Sequence, residues 1–250
     1  MANVLLQLQY IGTQYHGWQV QPNGITVQET LQDAIEKVTG VRSAVTGCSR
    51  TDAGVHANCF YCTTAQPERL SDAKFVKALN AVLPQDIAVL RCKAVTDDFH
   101  PRYSAVAKRY IYRIWNGAVR NPFEEGLSLH LHTPLDVERM NKIAEMFVGT
   151  HDFSAFCSVG SSVQDKVRTI RLSKVERNGD LVTYVVEADG FLYNMVRILV
   201  GTILDVTAGR LTEDDIRCAL ETGDRNHAGI TAPACGLFLD NVWYHTEVES

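Results

Sequence analysis

Long hydrophobic runs are absent from this sequence, and so are the features of an export signal. No stretch of about 18 uninterrupted apolar residues occurs, which argues against a membrane-spanning helix. Residues 1–10 contain neither a basic region nor the apolar run of a signal peptide. The 46% hydrophobic and 21% charged residues are the composition of a globular protein. We therefore expect a cytoplasmic protein that makes no contact with a membrane.

Cysteine is sparse and irregularly spaced. Seven cysteines in 250 residues, an odd number, argue against a disulfide framework and favour reduced thiols. The CxxC from Cys59 to Cys62 lies inside a strand-like run, and no second CxxC accompanies it. Buried structural thiols are therefore favoured over a redox pair or half of a zinc site. His130 and His132 would share one face of a strand, but no third ligand is suggested nearby, and we predict no metal.

Charge is unevenly distributed, although the net charge is −5. Residues 1–125 carry 13 Lys and Arg against 11 Asp and Glu, so the acidic excess lies in residues 126–250. The basic excess is concentrated in Arg91, Lys93, Arg102, Lys108, Arg109, Arg113 and Arg120. Such a local run of cations can bind a polyanion even in an acidic protein. The alternative is a solvated strand face.

Hydrophobic periodicity predicts two α+β halves. The first hundred residues follow the order β-α-β-β-α-β, which is typical of the ferredoxin-like, split βαβ arrangement. Predicted strands are 4–10, 43–48, 56–64 and 87–95, and predicted helices are 27–38 and 71–83. The order then roughly repeats, with strands 107–115, 167–176, 181–188 and 237–245 and helices 136–147, 191–206 and 212–220. We expect an α+β fold with mainly antiparallel sheets, an N-terminal half of residues 1–103, a C-terminal half of residues 104–250 and a catalytic cleft between them.

The connection from Ser49 to Ala57 concentrates chemical groups between two predicted strands. It carries the cation of Arg50, the hydroxyl of Thr51 and the carboxylate of Asp52, and the glycine that follows lets the backbone turn tightly. Asp52 fits a turn residue that hydrogen-bonds nearby backbone amides, and it fits a catalytic carboxylate equally well.

Two loops rich in aromatic residues leave alternatives open. In residues 12–24, Tyr15, His16 and Trp18 can stack on bases or pack beneath the loop. Residues 148–166 mix aromatic and small residues, which suits a lid over a site as well as ordinary surface coverage.

Two further places carry candidate functional groups. Alternation along the strand that begins at Lys108-Arg109 puts Tyr110 and Tyr112 on one face. A tyrosine beside cations can stack on an unpaired base or transfer a proton, and it can also form a cross-strand aromatic pair. Arg197 is the only charged residue of the largely apolar stretch of residues 190–204, so it needs a carboxylate or phosphate partner, for which Asp52 is a candidate.

Four motifs, in order and at suitable intervals, resemble those of the tRNA pseudouridine synthase A family. They are Arg50-Thr51-Asp52-Ala53-Gly54-Val55-His56-Ala57, Lys108-Arg109-Tyr110-x-Tyr112, Phe191-Leu192-x-x-Met195-Val196-Arg197 and Ala232-Pro233-x-x-Gly236-Leu237-x-Leu239. The resemblance spans essentially the whole chain, and the first motif is highly specific for the family.

This resemblance implies isomerisation of uridine to pseudouridine at positions 38, 39 and 40 of the tRNA anticodon stem-loop. It also implies a homodimer that uses no metal and no organic cofactor. Asp52 would be the catalytic carboxylate, Arg197 its ion-pair partner and Tyr110 the ring stacked on the target base and a candidate proton relay. Arg50 would help to extrude the base, and Leu237 would be an apolar contact in the pocket. The basic Lys108 and Arg109 are candidates for binding the RNA.

Three positions depart from the commonest pattern of the family. Ser49 stands where glycine is frequent, Asn194 where histidine often appears and Ala234 where a second proline often follows. None of them removes a chemical group that the reaction needs. Two other functions remain as alternatives, a pseudouridine synthase that acts on another RNA and a non-catalytic RNA-binding protein of the RRM type. Against the latter, the sequence has no RNP1-like Lys/Arg-Gly-Phe-Gly-Phe run.

Overall fold

A computed structural model of the protein describes residues 2–67, 69–160 and 163–245. Its internal contacts divide the chain into two units. Unit 1 consists of the described residues up to Val106 and from Phe238 onwards, and unit 2 consists of Ala107–Leu237. Both units combine helices with mainly antiparallel strands, which confirms the predicted α+β class.

The strands are β1 (Ala2–Tyr10), β2 (Thr46–Gly47), β3 (His56–Gln66), β4 (Ile87–Ala94), β5 (Ala105–Trp115), β6 (Leu129–His130), β7 (Gly149–Asp152), β8 (Val167–Asn178), β9 (Leu181–Ala188) and β10 (Leu237–Tyr244). The α-helices are α1 (Val27–Thr39), α2 (Asp72–Val82), α3 (Val137–Glu145), α4 (Met195–Thr207) and α5 (Glu213–Thr222).

The sheet of unit 1 has the strand order β4-β1-β3-β10, and β2 pairs with β3. β1 is antiparallel to both of its neighbours. α1 begins where the Thr26 side chain accepts a hydrogen bond from the Glu29 amide and ends at Gly40 in a left-handed conformation. Fully buried apolar side chains of β1, β3 and the two helices form the core: Leu6, Leu8, Phe60, Leu31, Ile35, Phe75 and Leu79.

The C-terminal strand belongs to unit 1, whereas the sequence placed it in the C-terminal half. In β10, Phe238 pairs with His56 and Leu239 with Ala57, and the two strands run parallel. Periodicity identifies a strand but not its partner, so a pairing between opposite ends of the chain leaves no local signal.

The sheet of unit 2 has the strand order β5-β9-β8-β7, with β6 parallel to β5. β8 and β9 form the predicted hairpin, but Asn178 pairs with Leu181, so the turn is made by Gly179 and Asp180, one residue later than expected. α5 begins with the capping box of Thr212 and Asp215, in which each side chain binds the other's backbone amide.

α4 begins later than its apolar pattern predicts. The sequence indicated a helix from residue 191, but the helix starts at Met195, because Asn194 has a φ of +59° and lies in the left-handed region. Arg197 is therefore in the first turn of the helix and not in its middle.

In the loop of residues 148–166, the aromatic residues Phe153 and Phe156 pack into the core of unit 2. Phe153 and Phe156 are fully buried, and Phe156 contacts Phe147 edge to face, with ring centroids 5.3 Å apart. Phe153 and Phe156 therefore belong to the core of unit 2. Residues 161 and 162 lie outside the described residues.

The thiols of the CxxC are buried in β3. Burial raises the pKa of Cys59 and of Cys62, so both favour the protonated form, which is the weaker nucleophile. In the part of the chain that the structure describes, no helix is long and apolar enough to span a membrane.

Candidate active site

Asp52 lies in the connection between β2 and β3, and backbone hydrogen bonds hold this connection on both sides. The Trp18 amide donates to the Thr51 carbonyl at 3.0 Å, and the Gly54 amide donates to the Tyr15 carbonyl at 3.2 Å. Within the connection, the Val55 amide donates to the Asp52 carbonyl at 3.1 Å. The backbone that carries Asp52 is therefore fixed by the segment of residues 12–18.

A buried side-chain hydrogen bond fixes the residue next to Asp52. The hydroxyls of Tyr10 and Thr51 lie 2.8 Å apart, and both residues are buried. Asp52 itself is half-buried and Arg50 is exposed. Thr51 thus anchors the connection to β1 through Tyr10, while the side chains of Arg50 and Asp52 are more accessible to solvent.

Two glycines let residues 12–18 approach this connection closely. A Cβ at Gly12 would lie 1.9 Å from the Val55 carbonyl oxygen. Gly17 has a φ of +83°, and a Cβ there would lie 2.5 Å from the Thr51 carbonyl oxygen. Any side chain at either position would therefore push the Asp52 connection away.

His56 supports the connection from its other end. It is fully buried, and its Nδ1 accepts a hydrogen bond from the Gly12 amide at 2.9 Å. The imidazole therefore carries no proton on Nδ1. Its ring lies against Phe238, with centroids 4.4 Å apart. The histidine of the first motif is thus a supporting residue.

The aromatic residues of the 12–24 loop pack beneath it. Tyr15 and Trp18 are 6% and 2% exposed, and the Trp18 ring stacks on Phe60 at 4.0 Å. The Tyr15 hydroxyl donates to Asp86 at 2.7 Å, and burial together with this carboxylate raises the pKa of Tyr15. Of the two alternatives, packing is therefore the correct one for both residues, whereas His16 is exposed.

Tyr110 and Tyr112 lie on one face of β5, as predicted, and both are buried. Tyr110 is 7% exposed and contacts Phe191 edge to face, with ring centroids 5.0 Å apart. Tyr112 donates its hydroxyl to the Pro233 carbonyl at 2.8 Å, and burial raises its pKa. Tyr112 is thus a structural tie to the fourth motif.

Arg197 is half-buried, and fixed acceptors bind its guanidinium. Its Nε donates to the Ala232 carbonyl at 2.7 Å, and its Nη1 donates to Asn194 Oδ1 at 2.7 Å. Sequence reasoning missed both acceptors, since a backbone carbonyl leaves no sequence signal and Asn194 stood out only as a departure from the family pattern.

Three of the four motifs meet in unit 2. Residues 232–237 contact Arg197 through Ala232 and Tyr112 through Pro233. A Cβ at Gly236 would lie 2.9 Å from the Tyr112 ring and 2.6 Å from the Arg113 carbonyl oxygen. Leu237, which follows, is 5% exposed.

Carboxylates neutralise part of the basic run. Arg109 Nη2 lies 3.0 Å from Glu187 Oε2, across the β5–β9 pair. Arg113 Nη2 lies 2.7 and 2.9 Å from the two oxygens of Glu124. Arg91 and Lys93 are exposed on β4 of unit 1, whereas Lys108 to Arg120 belong to unit 2.

The predicted site residues are divided between the units. Arg50 and Asp52 belong to unit 1, and Lys108, Arg109, Tyr110, Arg197 and Leu237 belong to unit 2. The ion pair between Asp52 and Arg197 stays a prediction. Among the described residues, no group of three His, Cys, Asp or Glu side chains is placed to hold a metal ion.

Comparisons with known proteins agree with the motifs. A family model described as tRNA pseudouridine synthase matches residues 7–104 and 143–245, which include Asp52 and Arg197. A protein of Thermoanaerobacter sp. (strain X514) called tRNA pseudouridine synthase A is 47% identical over 98% of this chain and 100% of its own length. Proteins of the same name from Acetivibrio thermocellus and Clostridium kluyveri are 44% and 43% identical, with the same coverage.

Proposed function

This chain belongs to the tRNA pseudouridine synthase family and is an isomerase, and we propose that it converts uridine to pseudouridine at positions 38, 39 and 40 of the tRNA anticodon stem-loop. Family membership rules against the alternative of a non-catalytic RNA-binding protein. A pseudouridine synthase that acts on another RNA is the remaining competitor, and it differs in substrate but not in chemistry.

The rigid connection that carries Asp52 is the observation that supports the proposal most strongly. The carboxylate is half-buried on a backbone that hydrogen bonds from Trp18 and Gly54 hold in place. A nucleophile or base must be held within a small distance of the atom that it attacks, so a fixed loop suits catalysis better than a mobile one.

The reaction itself needs a carboxylate and the exclusion of water. The N1–C1′ bond must break, the uracil must rotate while held, and C5 must bond to C1′ before C5 loses its proton. In this proposal Asp52 adds to C6, attacks C1′ or removes the C2′ proton, three routes that share the same carboxylate. Arg197 keeps Asp52 ionised and oriented, because a nearby cation favours the charged form of a carboxylate.

The target base must leave the helical stack before Asp52 can reach it. Flipping costs a few kcal/mol. Stacking of the extruded base on Tyr110, worth about 1–3 kcal/mol, would offset much of that cost. Arg50, which is exposed, assists the extrusion, and Leu237 provides an apolar contact to the base. Tyr110 also relays the proton that leaves C5.

The remaining roles concern binding and assembly. Lys108 and Arg109 contact phosphates of the tRNA, since cations that neutralise phosphates release counterions. The enzyme acts in the cytoplasm as a homodimer, which the resemblance to the family supports. In this proposal the reaction needs only the protein and its RNA substrate, and no metal or organic cofactor takes part.

Tritium release tests the chemistry. tRNA that carries 5-tritiated uridine is incubated with the native protein and with Asp52→Asn in parallel, and Asp240→Asn serves as a matched carboxylate control. We expect release by the native protein and by the control, and none by Asp52→Asn. Equal release from the native protein and Asp52→Asn would show that another carboxylate acts, and no release from the native protein would contradict the reaction.

Mapping of the product tests the substrate. Anticodon stem-loops with a single uridine at position 38, 39 or 40 are compared with one whose only uridine lies elsewhere, and pseudouridine is located by chemical modification and primer extension. We expect modification of the first three only. Preference for an unrelated structured RNA in direct competition would support the competing substrate.

A further inference from the structure

The residue before α4 has an unusual backbone conformation, and its side chain makes unusual contacts for that position. Asn194 has φ +59° and ψ +7°, and among the described residues other than glycine it is the one with a positive φ. It occupies the N-cap position of α4, where an asparagine side chain ordinarily accepts a hydrogen bond from a backbone amide of the first turn. Its side chain makes no such capping bond.

The Asn194 side chain is directed at Arg197 instead. Asn194 Oδ1 accepts a hydrogen bond from Arg197 Nη1 at 2.7 Å, and Asn194 Nδ2 donates to Ser158 Oγ at 3.0 Å. Because the amide nitrogen is bound to Ser158, the oxygen is kept toward the guanidinium. The Ser158 amide in turn donates to the Tyr193 carbonyl at 3.0 Å, which fixes the serine beside Asn194.

Arg197 carries its positive charge in the first turn of α4. A cation in the first turn of a helix is unfavourable, because the N-terminus carries a partial positive charge. Asn194 Oδ1 and the Ala232 carbonyl bind two different nitrogens of the guanidinium. Asn194 makes no capping bond, has a left-handed backbone conformation and binds a cation at an unfavourable position. Such a local cost is typical of a functional site.

We propose that Asn194 is a positioning residue, which fixes the Arg197 guanidinium in the orientation that the reaction requires. The inference rests on the proposed function, since the catalytic role of Arg197 gives this orientation its consequence. Asn194 itself does not touch the substrate. It acts through one hydrogen bond, and Ser158 sets the direction of that bond.

Two substitutions separate the side chain from the backbone. Asn194→Gly adopts the left-handed conformation without steric cost and removes the amide. Asn194→Asp also tolerates this conformation, and its oxygens can accept from Arg197 and from the Ser158 hydroxyl. Asn226→Gly, at an exposed residue of the same unit, controls for the general effect of a glycine.

The first measurement is the steady-state rate of tritium release. For Asn194→Gly we expect kcat to fall by about 10- to 100-fold, the value of one hydrogen bond to a charged group, with little change in KM. Asn194→Asp should recover most of the rate, Ser158→Ala should lose less than Asn194→Gly, and Asn226→Gly should match the native protein.

The second measurement does not depend on activity. In protein labelled with 15N-arginine, the Nη–Hη resonances of Arg197 are assigned by their loss in Arg197→Lys, and their relaxation reports motion of the guanidinium group that Asn194 binds, on the ps–ns timescale. We expect an ordered side chain in the native protein and in Asn194→Asp, and a mobile one in Asn194→Gly.

The outcomes distinguish this inference from the proposed function. Native release with unchanged kcat and unchanged Arg197 mobility in Asn194→Gly would overturn the positioning role and leave the proposed function intact. Equal losses in Asn194→Gly and Asn194→Asp, together with a lowered Tm, would overturn it in favour of a purely structural role. No release from the native protein would contradict the proposed function, while the relaxation measurement would still decide whether Asn194 orders Arg197.

Discussion

Arg197 and Ala232 are joined by two hydrogen bonds that run in opposite directions. Arg197 Nε donates to the Ala232 carbonyl at 2.7 Å, and the Ala232 amide donates to the Arg197 carbonyl at 3.1 Å. The segment of residues 228–237, which we call the strap, therefore binds both the side chain and the backbone of this arginine. Any displacement of the strap along α4 should move the guanidinium.

The strap crosses α4 where each of the two segments has a glycine, Gly229 in the strap and Gly201 in the helix. A Cβ at Gly201 would lie 1.8 Å from the Ile230 carbonyl oxygen, and a Cβ at Gly229 would lie 2.6 Å from backbone atoms of Gly201 and Thr202. Beside this crossing, the buried carboxylate of Asp205 accepts a hydrogen bond from the Ile230 amide at 3.1 Å. The strap is thus in backbone contact with the helix that carries Arg197.

Gly201→Ala should disturb activity through this crossing. Alanine favours a helix over glycine by about 1 kcal/mol. The clash with the Ile230 carbonyl should outweigh that gain, since overpacking costs about 1–3 kcal/mol. We expect a lower free energy of unfolding in urea and a fall in kcat larger than the loss of folded protein explains, because the strap carries Ala232 away from Arg197.

Gly209→Ala is the matched control for that substitution. Gly209 has a φ of +72°, and a Cβ there would meet nothing within 4 Å, so alanine introduces backbone strain without displacing the strap. Gly209→Ala should destabilise the protein and leave kcat of the folded fraction unchanged. Equal effects of both variants on kcat would contradict a special role of the crossing.

The Tyr10–Thr51 hydrogen bond should contribute both to the free energy of unfolding and to kcat, because it holds the connection that carries Asp52. Tyr10→Phe leaves the buried Thr51 hydroxyl without this partner, which costs about 1–3 kcal/mol, whereas removal of both hydroxyls with Thr51→Val costs less than the sum. The double-mutant cycle is measured by urea unfolding and by kcat. Strict additivity in both measurements would show that the two hydroxyls are not coupled.

Alkaline pH should destabilise the protein through its buried tyrosines. Burial raises the pKa of Tyr112 and of Tyr184, so the folded state keeps protons that the unfolded chain releases near pH 10. The contribution of the two tyrosines to the free energy of unfolding is complete below pH 10 and is lost as the pH rises toward their pKa in the folded state. Tyr112→Phe should therefore flatten the decline of the free energy of unfolding above pH 10 by up to about 1.4 kcal/mol per pH unit.

Urea unfolding at pH 9, 10 and 11 measures this decline. Tyr184→Phe should flatten it in the same way, because the Tyr184 hydroxyl is also buried, where it lies 2.9 Å from Ser173 Oγ. Identical declines in the native protein and both variants would show that these tyrosines do not keep their protons in the folded state.

The sequence predicts most elements because periodicity and capping are local signals. The start of α1 at Thr26 and its end at Gly40 follow from side-chain chemistry that is visible in the sequence. The late start of α4 does not, since the apolar pattern continues through residues 191–194 and only the left-handed Asn194 interrupts the helix. A backbone conformation of one residue overrides the pattern there.

The residues that hold the candidate site in place were harder to predict from the sequence than its charged residues. Asp52 and Arg197 stand out because a carboxylate in a glycine-containing turn and a lone charge in the apolar stretch of residues 190–204 are unusual. Tyr10 and Ala232 look ordinary in sequence, yet they hold Thr51 and Arg197 through contacts across 41 and 35 residues. Contacts of this kind follow from tertiary packing, which a single sequence does not encode in a readable form.

Lys108 and Arg109 should contribute to tRNA binding through phosphate contacts. Each alanine substitution should weaken binding and lower the slope of log Kd against log salt by about 1. Glu187→Gln should act in the opposite direction, because it removes the carboxylate that lies 3.0 Å from Arg109 Nη2. Glu124→Gln, which alters the equivalent pair at Arg113, should change tRNA affinity less than Glu187→Gln.

Filter binding or fluorescence anisotropy at several salt concentrations measures these effects on the protein. The sign of the Glu187→Gln effect is the sharpest result, since general damage to the protein weakens binding, whereas release of a cation strengthens it. Unchanged affinity and unchanged salt dependence in both alanine variants would show that this end of β5 does not contact the RNA. Tighter binding by Glu187→Gln that disappears when Arg109→Ala is added would assign the gain to Arg109 itself.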